Sequence, residues 1–208
     1  MASTRIALAG ATGNLGTPIL KALLDADFSV TVLSRRGGNA SKLSHHPNLS
    51  VKEVEFHSVE SLRPALLGVE VVVSCLATLA IDSQNPLIDA SVAAGVKRFI
   101  SAEFGMDSWN DLCAQLPVCA PKVAVQKYLM QKFELHPGFT FTAIANGFLL
   151  ELAKDAQADI DGAMLGFCFC GSLCSDYGCD FSGRLDNELL GVKELGEDEL
   201  RTLIVSFL

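Results

Sequence analysis

Along the first three quarters of the chain, apolar positions fall into short runs that alternate between two periods. Arg5 to Ala9 is a brief apolar run ending at a glycine, which predicts a buried strand. Asn14 to Ala26 then places Leu15, Ile19, Ala22 and Leu23 at helical spacing, with Pro18 near the first turn, where proline is tolerated. Phe28 to Leu33 alternates β-branched with polar residues and predicts a second strand, and Val51 to Phe56 a third. Val59 to Leu67 reads as a helix closed by Gly68. Val69 to Cys75 is uniformly apolar, as a central parallel strand covered on both faces must be. A helix over Pro86 to Ala94 closes at Gly95, and Arg98 to Ser101 is a fifth strand. A long helix over Val118 to Leu135 and a sixth strand over Phe139 to Ala145 complete the pattern. Strands alternating with helices imply an α/β fold, a doubly wound parallel sheet with helices on both faces.

Composition narrows the functional classes. The 208 residues are 50% hydrophobic and 19% charged, which excludes an intrinsically disordered chain. The net charge of −8 argues against a nucleic-acid or anionic-membrane binder, which would present a basic face. Residues 1–154 carry 13 acidic and 13 basic side chains, whereas residues 155–208 carry 11 and 3. The break near Lys154 divides an α/β domain, 1–154, from an acidic, Cys-rich tail, 155–208. No apolar run approaches the ~20 residues of a membrane span. The segment Ile6 to Ala9 is too short for a signal peptide, so the expected location is cytoplasmic. Cys75, Cys113 and Cys119 read as small buried hydrophobes. Cys168, Cys170, Cys174 and Cys179 lack the paired knuckles of a zinc site, so no metal is expected.

Candidate chemistry begins at Gly10-Ala11-Thr12-Gly13-Asn14-Leu15-Gly16, between the first strand and the first helix. In that setting Gly10 permits a sharp turn, Gly13 lets backbone approach a pyrophosphate, and Gly16 allows close packing of the helix. The N–H groups at the helix start then face the phosphates, with the positive end of the helix dipole behind them. NAD-selective sites usually place Asp or Glu at the end of the second strand, to hold the ribose 2′-hydroxyl. Here Ser34-Arg35-Arg36-Gly37-Gly38 offers two guanidiniums and no carboxylate, which suits a 2′-phosphate and therefore NADP.

These residues, with Gly95-Val96-Lys97-Arg98-Phe99-Ile100, Ser101-Ala102-Glu103-Phe104-Gly105, Gln84, and Ala145-Asn146-Gly147-Phe148, resemble the NmrA-like and isoflavone reductase-like family over residues 4–152. That family is an atypical branch of the short-chain dehydrogenases. The resemblance implies a Rossmann-type domain that binds NADP through Gly10, Thr12, Gly13, Asn14, Leu15, Gly16, Ser34, Arg35, Arg36, Gln84, Glu103 and Phe148. It also implies reduction of a small carbonyl- or enone-type substrate, with Lys122 as the general acid/base. The alternative that the family offers is a dinucleotide-binding, redox-sensing regulator without turnover. Such a regulator would take a protein partner and reach the nucleus. The family continues well beyond residue 154 to build its substrate pocket, whereas Phe167 to Cys174 does not resemble that continuation. The substrate half is thus expected to be truncated or replaced, with a terminal helix over Glu197 to Phe207.

The residue pattern supports Lys122 separately. Lys122, Val125, Leu129 and Phe133 lie at i, i+3, i+7 and i+11, so a lysine heads the stripe expected to face the sheet. A partly desolvated lysine there is suited to general acid–base work, although one that only covers the helix end is the plainer reading. Tyr128 and Lys132 form a competing Tyr-x3-Lys pair, which needs a nearby serine, and Ala102 stands where many relatives carry that hydroxyl, with Ser101 beside it. His45, His46 and His136 are expected to be solvated, and His57 to lie near an adenine at best.

Overall fold

The computed structural model describes residues 3–146. Phe148, the tail 155–208, its four cysteines and the expected terminal helix lie outside the described residues.

Six strands form one parallel sheet: β1 (Arg5–Ala9), β2 (Ser29–Arg35), β3 (Leu49–Val54), β4 (Val71–Ser74), β5 (Arg98–Ile100) and β6 (Thr140–Thr142). Their order is β3-β2-β1-β4-β5-β6, that of a Rossmann-type sheet. The four longer helices are α1 (Gly16–Asp25), α2 (Val59–Leu66), α3 (Gln84–Ala93) and α4 (Ala120–Leu135). The chain moves outward from β1 to β2 and β3, then crosses back to β4 and continues the other way. Right-handed crossovers therefore put α1 on one face and α2, α3 and α4 on the other.

The core follows from the two-residue period of the strands. Ala7 and Ala9 point to the face where Leu62, Leu66, Leu87, Ile88, Val125 and Leu129 pack. Ile6 and Leu8, with Val30, Val32 and Val73, point to the face that Leu20 covers. A third cluster, Cys113, Leu116 and Cys119, packs with Met106, Val118 and Val123 ahead of α4. Both its cysteines are buried, whereas Cys75 is only partly so. None of the described helices is long and apolar enough to cross a membrane.

Boundaries shift where tertiary pairing decides them. α1 begins at Gly16 rather than Asn14, because residues 10–15 are used by the turn. β2 extends to Arg35 because Arg35 pairs with Val54 of the edge strand β3. Phe133 departs from its expected place on the buried stripe, since it is 48% exposed. The sheet edge beneath it is β6, only three residues long. Phe133 meets Phe141 of that strand edge-to-face at 6.3 Å instead. The buried positions of α4 are Val125, Gln126 and Leu129.

Candidate nucleotide and active site

The chain reverses direction across the sheet between β1 and β4, and this switch point is where doubly wound sheets open a crevice at their carboxyl ends. The Gly10–Gly16 turn occupies it. Gly10 has φ +81°, and a Cβ there would lie 2.3 Å from the Cys75 carbonyl oxygen, just past β4. A Cβ on Gly16 would lie 2.0 Å from the Gly10 carbonyl oxygen. The third glycine thus lets the helix start pack on the turn itself. Gly13 differs: its Cβ would meet only the Gly10 oxygen, at 3.4 Å, so space beside it is open. The turn closes through Gly13 N–H donating to the Gly10 carbonyl (3.1 Å) and Thr17 Oγ donating to the Ala11 carbonyl (3.3 Å). Thr12, Asn14 and Leu15 lie within it. Among the described residues no side chain caps α1, and its first turn has no acid, so no carboxylate of that turn competes with an anion for the positive helix end.

One strand away, Arg35 ends β2 and Arg36 begins the turn that follows. Both are exposed, and neither guanidinium is ion-paired among the described residues. The Ser34 hydroxyl donates to the Arg35 carbonyl at 3.1 Å. No carboxylate occurs from Ser34 to Gly38. His57 is exposed beyond β3.

On the other side of β1, the segment after β5 is held from several directions. The Gln84 side-chain oxygen Oε1 accepts from Ala102 N–H at 2.9 Å, from the buried start of α3. Gly105 bridges Ala145, and Asn146 N–H donates to the Gly105 carbonyl at 3.1 Å. Glu103, 3% exposed, turns its carboxylate inward to accept from the Ser108 hydroxyl at 2.6 Å. Ser108 in turn accepts from the Gln126 amide at 2.5 Å. The Lys122 ammonium, one helical turn ahead of Gln126, donates to the Glu103 carbonyl oxygen. Glu103, Ser108 and Gln126 line a cavity of about 230 Å³, with Met106, Trp109 and Ala143. The hydroxyls of Ser74 and Ser101, buried after or within the strand ends, find no partner among the described residues.

Tyr128 and Lys132 face away from this arrangement. The Tyr128 hydroxyl donates to the Asp89 carboxylate at 2.7 Å, and the Lys132 ammonium pairs with it at 2.6 Å and stacks over the Tyr128 ring. The two side chains tie α4 to α3. Burial and the Asp89 bond push the Tyr128 hydroxyl's pKa up, and the same carboxylate raises that of Lys132. Sequence reasoning missed Ser108, Gln126 and Asp89. Gln126 alone left a signal, a polar residue four positions after Lys122 on a stripe that should be apolar. Among the described residues no group of three metal-ligating side chains occurs.

The profile of the NmrA-like family matches residues 2–158. The chain belongs to that family. It is 37% identical over 153 residues to oxidoreductase aprR of Aspergillus flavus, covering 72% of this chain and 50% of that protein. It is 37% identical over 120 residues to a bifunctional pinoresinol-lariciresinol reductase of Sinopodophyllum hexandrum, covering 51% of this chain and 39% of that one. Among solved structures, AtPrR2 with NADP+ and (+)-pinoresinol superposes with a TM-score of 0.63 at 24% identity, over 79% of this chain and 56% of that one. The leucoanthocyanidin reductase–NADPH complex from Vitis vinifera gives 0.55 at 25% identity, over 68% and 47%. The chain thus spans about half the length of the curated relatives it matches.

Proposed function

We propose that residues 1–154 form an NADPH-binding domain of an isoflavone reductase-like oxidoreductase, which reduces a small carbonyl- or enone-type substrate. One observation carries the reading: the Gly10–Gly16 turn stands at the switch point, and among the described residues there is open space at Gly13 and no ion pair to either guanidinium after the neighbouring strand. Backbone at Gly10, Thr12, Gly13, Asn14, Leu15 and Gly16 would hold the pyrophosphate against α1. Ser34, Arg35 and Arg36 would hold the 2′-phosphate, which a carboxylate in their place would repel. Gln84 and Glu103 brace the segment at the far side of the cleft through the bonds already described. The NADPH complex of a relative and the oxidoreductase names of others agree with this assignment.

When bound, the dinucleotide supplies a hydride to the substrate carbon. The chain's part is to supply the proton. Lys122 holds one at Nζ, oriented by the Glu103 carbonyl, and would pass it to the substrate oxygen as negative charge develops there. Solvent then restores the ammonium. The Tyr-x3-Lys pair takes no part, because Asp89 engages both members.

The test is NADPH oxidation across a panel of enones and aldehydes, by wild type and by Lys122→Ala. Oxidation that needs Lys122 supports the reductase reading. Tight NADPH binding with no oxidation by any acceptor would replace it with the dinucleotide-binding regulator.

A further inference from the structure

Lys122 projects from the first turn or so of α4, and the atom it meets is a main-chain carbonyl in a loop. A loop carbonyl holds an ammonium in place only as well as the loop itself is held. The loop in question runs from the end of β5 to Ser108, and its conformation is unusual. Phe104 has a positive φ, +21°, and a Cβ on Gly105 would lie 3.3 Å from the Glu103 oxygen, tighter than usual, and in contact with the Lys122 nitrogen at 3.4 Å.

The loop is fixed from inside. Glu103, Ser108 and Gln126 are all buried, at 3% exposure each. Their hydrogen bonds have a single consistent direction. The Ser108 hydroxyl has one proton, and the Glu103 carboxylate takes it at 2.6 Å. Ser108 oxygen can then only accept, so the Gln126 group facing it at 2.5 Å must be the amide nitrogen. Gln126 and Lys122 are i+4 and i on α4, stacked on the same side of the helix. The chain of bonds therefore starts on α4, crosses Ser108 to the Glu103 side chain, and returns to α4 from the Glu103 carbonyl to Lys122. It closes a ring on one helix.

We propose that Ser108 and Gln126 are positioning residues for Lys122. By holding the Glu103 side chain they fix its carbonyl, and that carbonyl fixes the ammonium at the cleft. The inference takes its functional meaning from the role proposed for Lys122, but its test reads the lysine itself and needs neither substrate nor cofactor.

The experiment measures site-by-site acetylation rates of the native full chain with a water-soluble acetylating reagent, read by peptide mass spectrometry. Ser108→Ala removes the link and Ser108→Thr keeps the hydroxyl. Lys132, held by Asp89 on the same helix, reports the integrity of α4. The expected result is an increase of at least about threefold at Lys122 in Ser108→Ala and in Gln126→Leu. Lys132 should stay unchanged, and Ser108→Thr should remain near the wild-type rate. A Lys122 rate equal to wild type in both loss variants would overturn the proposal. So would a rise shared by Lys132, which would mean that α4 had simply loosened. If instead Lys122→Ala keeps full NADPH-oxidising activity, the role of Lys122 fails while the positioning result stands on its own.

Discussion

Alanine at each glycine of the turn separates folding from nucleotide binding, because the three positions face different surroundings. At Gly10, alanine adopts φ +81° at a cost of about 1–2 kcal/mol. Its Cβ also lies 2.3 Å from the Cys75 oxygen, so β4 or the turn must shift, at a further cost of about 1–3 kcal/mol. The sum, about 2–5 kcal/mol, is a large fraction of a domain's stability and should lower Tm by roughly 5–20 °C. At Gly16 a Cβ would lie 2.0 Å from the Gly10 oxygen, 2.7 Å from its carbonyl carbon and 2.9 Å from Ala11 Cα, but no φ penalty adds to these because the residue is helical. With steric cost but no φ penalty, Gly16→Ala should fall between the other two. At Gly13 the nearest atom to a new Cβ is 3.4 Å away, an ordinary contact. Gly13→Ala should leave Tm within a few degrees of wild type or raise it slightly, through the less flexible unfolded chain. The same methyl would stand in the open space assigned to the pyrophosphate. NADPH affinity should therefore fall at least tenfold, about 1.4 kcal/mol. Differential scanning fluorimetry and calorimetric titration on the same preparations give both quantities. A Gly13→Ala protein that binds NADPH like wild type would refute the placement of the phosphates. A Gly10→Ala protein with unchanged Tm would refute the packing argument.

Further expectations concern α4 and the thiols. If turnover is found, Lys122→Ala should lower kcat by about 10²–10⁴-fold with NADPH affinity kept within a few-fold, whereas Tyr128→Phe should leave kcat nearly unchanged, both read in steady-state assays. Asp89→Asn should cost about 1 kcal/mol by urea denaturation at pH 7. The folded pKa values of Tyr128 and Lys132 are raised, so their contribution is complete below the unfolded values near 10. The gap between wild type and Asp89→Asn should close as pH rises through the folded values, and a gap that widens there would contradict the assignment. Burial pushes the Cys75 and Cys113 thiols up to about 12. Both should resist iodoacetamide at pH 8 in the native protein and react once it is unfolded, as peptide mapping would show.

The sheet is legible because its strands are short segments bounded by turn residues, apolar throughout in β4 save its last residue and alternating in β2, and all six expected strands are present. Their ends were less so. β2 reaches Arg35 only because β3 pairs with it there, and no local pattern in 28–35 encodes that partner. Phe133 departs from its stripe because helical periodicity does not report how far a sheet extends beneath a helix. The places of the glycine turn, the arginine pair and Lys122 are legible because each follows directly from the order of strands and helices along the chain. The Glu103–Ser108–Gln126 ring and the Asp89 cluster could not, because their partners lie 18 and 39 residues apart and meet only through packing.

Whether this chain holds NADPH through the Gly10–Gly16 turn and the arginines after β2 is read by calorimetric titration of the full chain with NADPH and with NADH, and we expect that it does. Loss of a charge-assisted bond to phosphate costs about 1.5–3 kcal/mol. NADPH should therefore bind about tenfold to a hundredfold more tightly than NADH, with the preference collapsing in an Arg35→Ala/Arg36→Ala protein. Equal affinities for the two nucleotides, or a preference that survives loss of both arginines, would contradict it.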